Sequence, residues 1–315
     1  MVNIWKRNKF FLLAIGLVIA LVLYSFYTFY QDYFGYVPGY YKMKEICYEQ
    51  KDLDNEICKQ FRNMEDVERS LEIHDPVARF KSFDAITLTC TIVEHTAYNL
   101  LQYFSPLIIA IAVIGTLHSE FSSGMFENYL LRMNYKKYLR KTYKVAIKGA
   151  LIIPFSLILI FILASIFSGF NFSLENVDTS LAVYDTWKYD HFLLYGIIIC
   201  LIQFFISLFY ANIGLLCLKK CKNKLVAIIM SFVAFLLAHL FIYLVLYAVI
   251  INKILGFKEL TEYFSITGYW FFENSSDSYI ALIISVLLML FSLVILIRTY
   301  RNKEKVIECY EEQVS

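Results

Sequence analysis

The chain has 315 residues, of which 59% are hydrophobic and only 18% charged, with a formal net charge of +2. A soluble domain carries about a quarter charged residues. This balance therefore excludes an ordinary water-soluble fold, and no nucleic-acid partner is expected.

Six apolar stretches, 10–30, 98–117, 145–168, 192–218, 225–251 and 278–297, account for the composition. Five have no Asp, Glu, Lys or Arg in their cores, and the third has only Lys148 near one end. Each reaches the roughly 20 residues that a helix needs to cross a bilayer. The expected fold is an all-α polytopic membrane protein, a single transmembrane domain over 1–315. It has six transmembrane helices, both termini cytoplasmic, and an external loop containing helical segments.

The first stretch follows Lys6, Arg7 and Lys9, like the basic region of a signal peptide. It is longer than a signal core, however, and ends on Tyr24, Phe26, Tyr27, Phe29 and Tyr30 rather than on a small-residue cleavage site. It reads as a retained first helix. These rings, like Phe271 and Phe272 before the last span, suit the headgroup layer.

Residues 31–97 form the largest polar segment, acidic and external in this topology. From Asp54 to Leu71 the spacing of Ile57, Phe61, Met64 and Val67 predicts a helix, with Pro38 and Pro76 bracketing it in less regular sequence. A small helical cap over the external mouth is expected. Cys47 and Cys58 share this loop, and a disulfide between them is geometrically open but not fixed by spacing. Glu94 and His95 fall at the outer start of the second span, where they either line an entrance or sit in headgroup water.

The most informative polar segment is 118–144, within Ile114 to Pro154: IGTLHSEFSSGMFENYLLRMNYKKYLRKTYKVAIKGALIIP. Glu120 and Glu127 are seven apart. Phe121, Met125, Tyr129 and Arg132 recur at helical steps, Gly124 permits close approach, and a basic run follows. A short amphipathic helix joined to two spans transmits force applied from the cytoplasmic face. Phe126 and Tyr129 would fill a partner's pocket, while Glu120, Glu127 and Arg132 set orientation. The alternative is a lipid-facing connector whose basic residues only hold topology.

Inside the spans, Pro154 is a candidate hinge. Gln203, Asn212 and His239 are polar groups that must find partners or line a pathway. Membrane-embedded carboxylates at mid-depth are missing, which favours a driving force from another subunit over ion coupling.

Charge sets the orientation. Residues 1–9, 118–148, 219–224 and 298–315 hold 18 of the 29 Lys+Arg but only 6 of the 27 Asp+Glu, so this side is cytoplasmic by the positive-inside rule. Lys219, Lys220, Lys222 and Lys224 are the clearest cluster, fixing topology or touching anionic lipid. There is no Walker A motif, H-E-x-x-H or G-x-S-x-G, and no zinc-ligand spacing. The chain itself is thus not expected to be an enzyme or to bind a metal or cofactor.

Glu120, Gly124 and Glu127, then Asn134 to Lys141 (NYKKYLRK), then Lys144, Lys148 and Pro154 resemble the permease subunits of ABC-2-type transporters. The span order agrees over most of the chain, and the motif covers residues 115–154. The resemblance implies that Glu120, Phe121, Gly124, Phe126, Glu127, Tyr129 and Arg132 dock on ABC ATPase subunits. It also implies a second permease subunit, the same or related, surrounding membrane lipids, and ATP with Mg2+ on the ATPase rather than on this chain. Export across a bacterial plasma membrane follows, with an antimicrobial peptide, a lipid-linked compound or a drug as cargo. Two other readings stay open: a non-enzymatic membrane sensor or scaffold, and an ATP-independent channel or carrier.

Overall fold

The computed structural model describes residues 2–35, 37–51, 57–59, 63–73, 83–122, 131–132, 134–172, 191–242, 244, 253 and 275–301. These residues are overwhelmingly helical and include no strand. In chain order the elements are α1 (Val2–Gly35), α2 (Val37–Met43) with a π-helical continuation (Lys44–Glu49), α3 (Met64–Ile73), α4 (Ala85–Glu94) and α5 (Thr96–Ser122). There follow α6 (Tyr135–Ala150), α7 (Ile152–Phe167), α8 (Phe192–Lys220), α9 (Lys224–Phe241) and α10 (Ser275–Tyr300). Six spans among them are long and apolar enough to cross a membrane, and they fall on the six predicted stretches. The third span is α6 and α7 together, so its helix begins ten residues earlier than the apolar stretch alone predicts.

Helix is what such sequences must form in hydrocarbon, because it pairs each backbone N–H and C=O within its own segment. The two prolines in the spans show how exceptions are absorbed. Pro106 lies inside α5 and cannot donate to the Gln102 carbonyl. The Ser105 hydroxyl donates to that carbonyl instead, at 2.7 Å, and α5 continues unbroken. Pro154 cannot donate to the carbonyl of Ala150, and there the helix does break, at Leu151 between α6 and α7. Leu151 N–H still reaches the Ile147 carbonyl at 3.2 Å, so the two helices remain directly joined.

The chain divides into two compact units: Met1–Val22 with Asn99–Leu159 and Ala182–Ser315, and Leu23–Tyr98 with Ile160–Leu181. In the first, α8 is the hub and packs along α10, α9 and α6. Residue pairs fix the directions. Asn212 meets Ser292 and Lys219 meets Thr299, so α8 and α10 are parallel. Gly214 faces Ile114 and the turn after α8 meets His118, so α5 is also parallel to α8. Tyr210 meets Phe235 edge to face while Gly214 faces Ser231, which makes α9 antiparallel to α8. Tyr135 reaches Tyr300, so α6 starts where α10 ends. Phe10 of α1 lies against Gly115 and beneath the Lys224 ammonium, 4.6 Å from the ring centroid. The start of α1, the end of α5, the starts of α6 and α9, and the ends of α8 and α10 therefore meet at one end of this unit.

The second unit holds a small core of Tyr40, Cys47, Cys58, Val67 and Leu71. Cys47 and Cys58 are disulfide-bonded, and the Tyr40 hydroxyl donates to the Leu71 carbonyl at 3.0 Å. The predicted helix from Asp54 is corrected by this geometry: residues 57–59 form a turn with Ile57 exposed, and helix α3 starts only at Met64. Phe61 lies outside the described residues. The Asn63 side chain supplies the reason, accepting from Asp66 N–H at 2.8 Å as an N-cap. Pro38 is likewise not in irregular sequence but in the first turn of α2, where its missing N–H costs nothing. The sequence reading missed α4 because ten residues are too few to span a bilayer. Buried Asp84 caps it, accepting from Ile86 and Thr87 N–H at 2.8 Å each. The α4–α5 break falls at His95, whose Nε2 lies 3.0 Å from Asp32 Oδ2. Helix α7 ends at Phe167, and in the turn after it Gly169 takes a φ of +64° while Phe170 N–H turns back to the Ser165 carbonyl.

Glycine sets the close approach of α5 and α6. A Cβ on Gly149 would lie 2.5 Å from Val113 Cγ2, whereas one on Gly196 would meet nothing within 4 Å. Gly149→Ala is expected to destabilise the bundle by about 1–3 kcal/mol through overpacking. Gly196→Ala should be neutral or slightly stabilising. Thermal unfolding of the two detergent-purified variants checks this, and equal midpoints would contradict the proposed packing.

Candidate functional site

The convergent end of the first unit is built around α6. Asn134 caps this helix, its side chain accepting from Lys136 N–H at 3.2 Å. Tyr138, Thr142, Ala146 and Gly149 form its buried face. The other face carries Lys136, Lys137, Arg140, Lys141, Lys144 and Lys148, with no acid anywhere in the helix. The cationic residues begin in the first turn, where the helix dipole disfavours them. The apolar cores of the other spans also end in cations here: Lys219 and Lys220 in the last turn of α8, Lys224 at the start of α9, and Arg298 in the last turn of α10. The basic segments that are scattered through the sequence are thus brought together in space.

Polar side chains tie these helix ends. The Tyr135 hydroxyl donates to the Tyr300 carbonyl at 2.8 Å, and the Tyr300 hydroxyl donates to the Leu215 carbonyl at 2.7 Å. Lys219 Nζ donates to the Thr299 carbonyl at 3.0 Å and lies 5.8 Å from the Tyr300 ring centroid. Further in, Asn212 Nδ2 donates to Ser292 Oγ at 2.8 Å, fully buried. The Tyr143 phenol of α6 faces Asn212 without closing a well-formed bond to its Oδ1. Between α6, α8 and α10 lies a cavity of about 420 Å3 with Leu139, Tyr143, Leu215 and Leu293 in its wall and Arg140 and Lys144 beside it.

Glu120 lies in the last turn of α5 and pairs with Lys141 of α6, Nζ to Oε2 3.1 Å and to Oε1 3.2 Å. Phe121 follows it in the same turn. Gly124, Phe126, Glu127 and Tyr129 lie outside the described residues, and Arg132 is helical and exposed. The NYKKYLRK run, expected within the cytoplasmic segment 118–144 ahead of the third span, is the cap and first two turns of that span itself.

Pro154 is buried in the first turn of α7, just past the break at Leu151. Asn212 belongs to the α8–α10 contact described above. His239 sits in the last turn of α9 against Phe235, beside a pocket of about 10 Å3 whose other lining residues carry no carboxylate. That volume is at the lower limit for a single water.

Two buried amides stand at similar depth. The parallel register of α5 and α8, anchored at Ile114 with Gly214 and at His118 with Lys222, places Gln102 within about one helical turn of the depth of Gln203. Neither carboxamide has a hydrogen-bond partner among the described residues, nor does Ser207 one turn along. The sequence singled out Gln203 and Asn212 but missed Gln102, Tyr143 and Ser292, since only the register relates residues so far apart. Among the described residues no cluster of three His, Cys, Asp or Glu could hold a metal ion. Comparison of the chain with protein-family models, with curated proteins and with solved structures gives no match.

The Asn212–Ser292 pair should be worth about 0.6–2 kcal/mol in a membrane setting. A double-mutant cycle on Asn212→Ala and Ser292→Ala, read by unfolding in mixed micelles, is expected to return a coupling energy in that range. Strict additivity would show that the pair does not hold α8 to α10.

Proposed function

We propose that this chain is the membrane-spanning permease subunit of an ATP-driven, ABC-2-like exporter, with its basic end in the cytoplasm. The observation that carries this reading is the mechanical continuity of that end. A displacement delivered between α5 and α6 meets the Glu120–Lys141 pair. It then meets a helix joined to both α8 and α10 through Tyr135, Tyr300 and Leu215. The break at Leu151 lets α6 move without carrying all of α7 with it.

In this reading the unpartnered amides of Gln102 and Gln203, buried in this state within a largely apolar bundle, come to line the passage when it opens. A bulky amphipathic cargo suits it: an antimicrobial peptide, a lipid-linked compound or a drug. ATP and Mg2+ belong to separate ATPase subunits docked on 118–144, and a second permease subunit completes the passage. The Cys47–Cys58 disulfide supports an outward position for its segment, because such bonds persist in oxidising compartments. The same closed cluster also favours a second reading, a membrane sensor whose external segment binds a ligand; co-purification with an ATPase separates the two.

The coupling claim is tested by charge exchange. Glu120→Lys or Lys141→Glu alone is expected to lower nucleotide-dependent transport several-fold with membrane insertion intact, and the double exchange to restore part of it. Replacing Phe126 and Glu127 should weaken ATPase association. Unchanged association there, or no rescue by the double exchange, contradicts the docking role.

Orientation is tested at Cys221, between α8 and α9. Burial pushes its thiol above the ordinary range, with Lys220 pulling it partly back. Its thiolate fraction at pH 7 is therefore below that of an exposed cysteine, and labelling should accelerate as pH rises. A membrane-impermeant maleimide should reach it only from the cytoplasmic side; labelling of intact cells from outside would invert the topology.

A further inference from the structure

We propose that the groove between α6, α8 and α10 is a binding site for an anionic phospholipid of the surrounding leaflet. Its acyl chain lies along Leu139, Ile147, Leu293 and Ile297, and its phosphate is held by Arg140 and Lys144. The inference goes beyond the transport reading and does not rest on it.

The cavity, about 420 Å3, has the size of a small-ligand site, and its wall offers almost no polar atoms. A peptide backbone seated there would leave its N–H and C=O groups unpaired, whereas a hydrocarbon tail loses nothing. That chemistry favours a lipid over an acidic protein segment.

The headgroup position is set by charge and depth. Arg140 and Lys144 are exposed beside the cavity and have no anionic partner among the described residues. They belong to a row, Lys136, Arg140, Lys144 and Lys148, in which like charges recur at every fourth residue. Such spacing on one helix face is repulsive, and no acid in α6 relieves it. An anion shared between two members of the row does. The level is also right for a phosphate. Leu215 is one turn from Lys219, and Ile297 precedes Arg298, so the cavity lies where both helices pass from apolar to basic sequence.

Thr142 supplies an independent sign. It lines the same cavity, is 6% exposed, and its Oγ1 has no hydrogen-bond partner among the described residues. That hydroxyl is covered in this structure; a glycerol ester or phosphate oxygen would accept from it once a seated lipid parts the groove.

The test uses the full chain in phosphatidylcholine nanodiscs containing a trace of photoactivatable lipid. The probe carries a diazirine on one acyl chain and is either a phosphatidylglycerol or a phosphatidylcholine, and adducts are mapped by mass spectrometry. The anionic probe is expected to label the α10 segment around Leu293 to Ile297 in preference to the zwitterionic one. Arg140→Gln with Lys144→Gln should cut that labelling roughly tenfold, to the zwitterionic level, while Lys222→Gln with Lys224→Gln, equal in charge but off the cavity, should leave it within about twofold. If the double α6 variant does not fold, Thr142→Val, which retains the shape, should still lower anionic labelling about threefold. Equal labelling by the two probes would overturn the proposal. So would an equal loss in the Lys222/Lys224 control.

Discussion

Hydrocarbon offers no partner to a polar group, and the rest of this structure follows from that constraint. It makes the apolar stretches helical and drives charges to the helix ends. It also makes each polar group left inside informative. Where a proline removes a donor, a side chain steps in, as Ser105 does for the Gln102 carbonyl, or the helix breaks, as it does at Leu151 before Pro154. Where a buried amide finds a partner, two helices are fixed together, as Asn212 fixes α8 to α10. Gln102 and Gln203 find none among the described residues, which leaves two unpaired carboxamides in a largely apolar interior.

The same constraint accounts for the concentration of interactions at the basic end. Water and headgroups begin there, so phenols, ammonium groups and carbonyls can all be satisfied. Tyr135, Tyr300, Lys219 and Glu120 use that freedom to join α5, α6, α8 and α10. A force applied at this end is therefore shared among four helices, whereas one applied within the apolar bundle would meet only side-chain packing. Helix α6 is central because it is at once cationic, capped, and continuous with the third span across a single break.

Much of this architecture was legible from local pattern. A run of twenty apolar residues has one solution in a bilayer, so the spans could be placed from sequence. The clustering of Lys and Arg between alternate spans likewise anticipated that those segments would meet. The start of the third span was not legible, because a run rich in Lys, Arg and Tyr reads as polar connector until Asn134 is seen to cap it. Helix α4 was hidden by its shortness, and the start of α3 by a cap at Asn63 that competes with the longer apolar stripe. The contacts that tie α10 to α6 and α8 join residues 80 or more apart in sequence, as with Asn212 and Ser292 or Leu215 and Tyr300. No periodicity within one helix encodes them.

The account stands or falls on whether force enters from a partner at the basic end. The most direct measurement is mild purification of the full chain from its native membrane, with quantitative mass spectrometry of what accompanies it and a transport assay on the reconstituted sample. The account predicts a nucleotide-hydrolysing subunit in stoichiometric amount and cargo movement that stops when hydrolysable nucleotide is withheld. A preparation of this polypeptide alone that moves its cargo at full rate without nucleotide would contradict it.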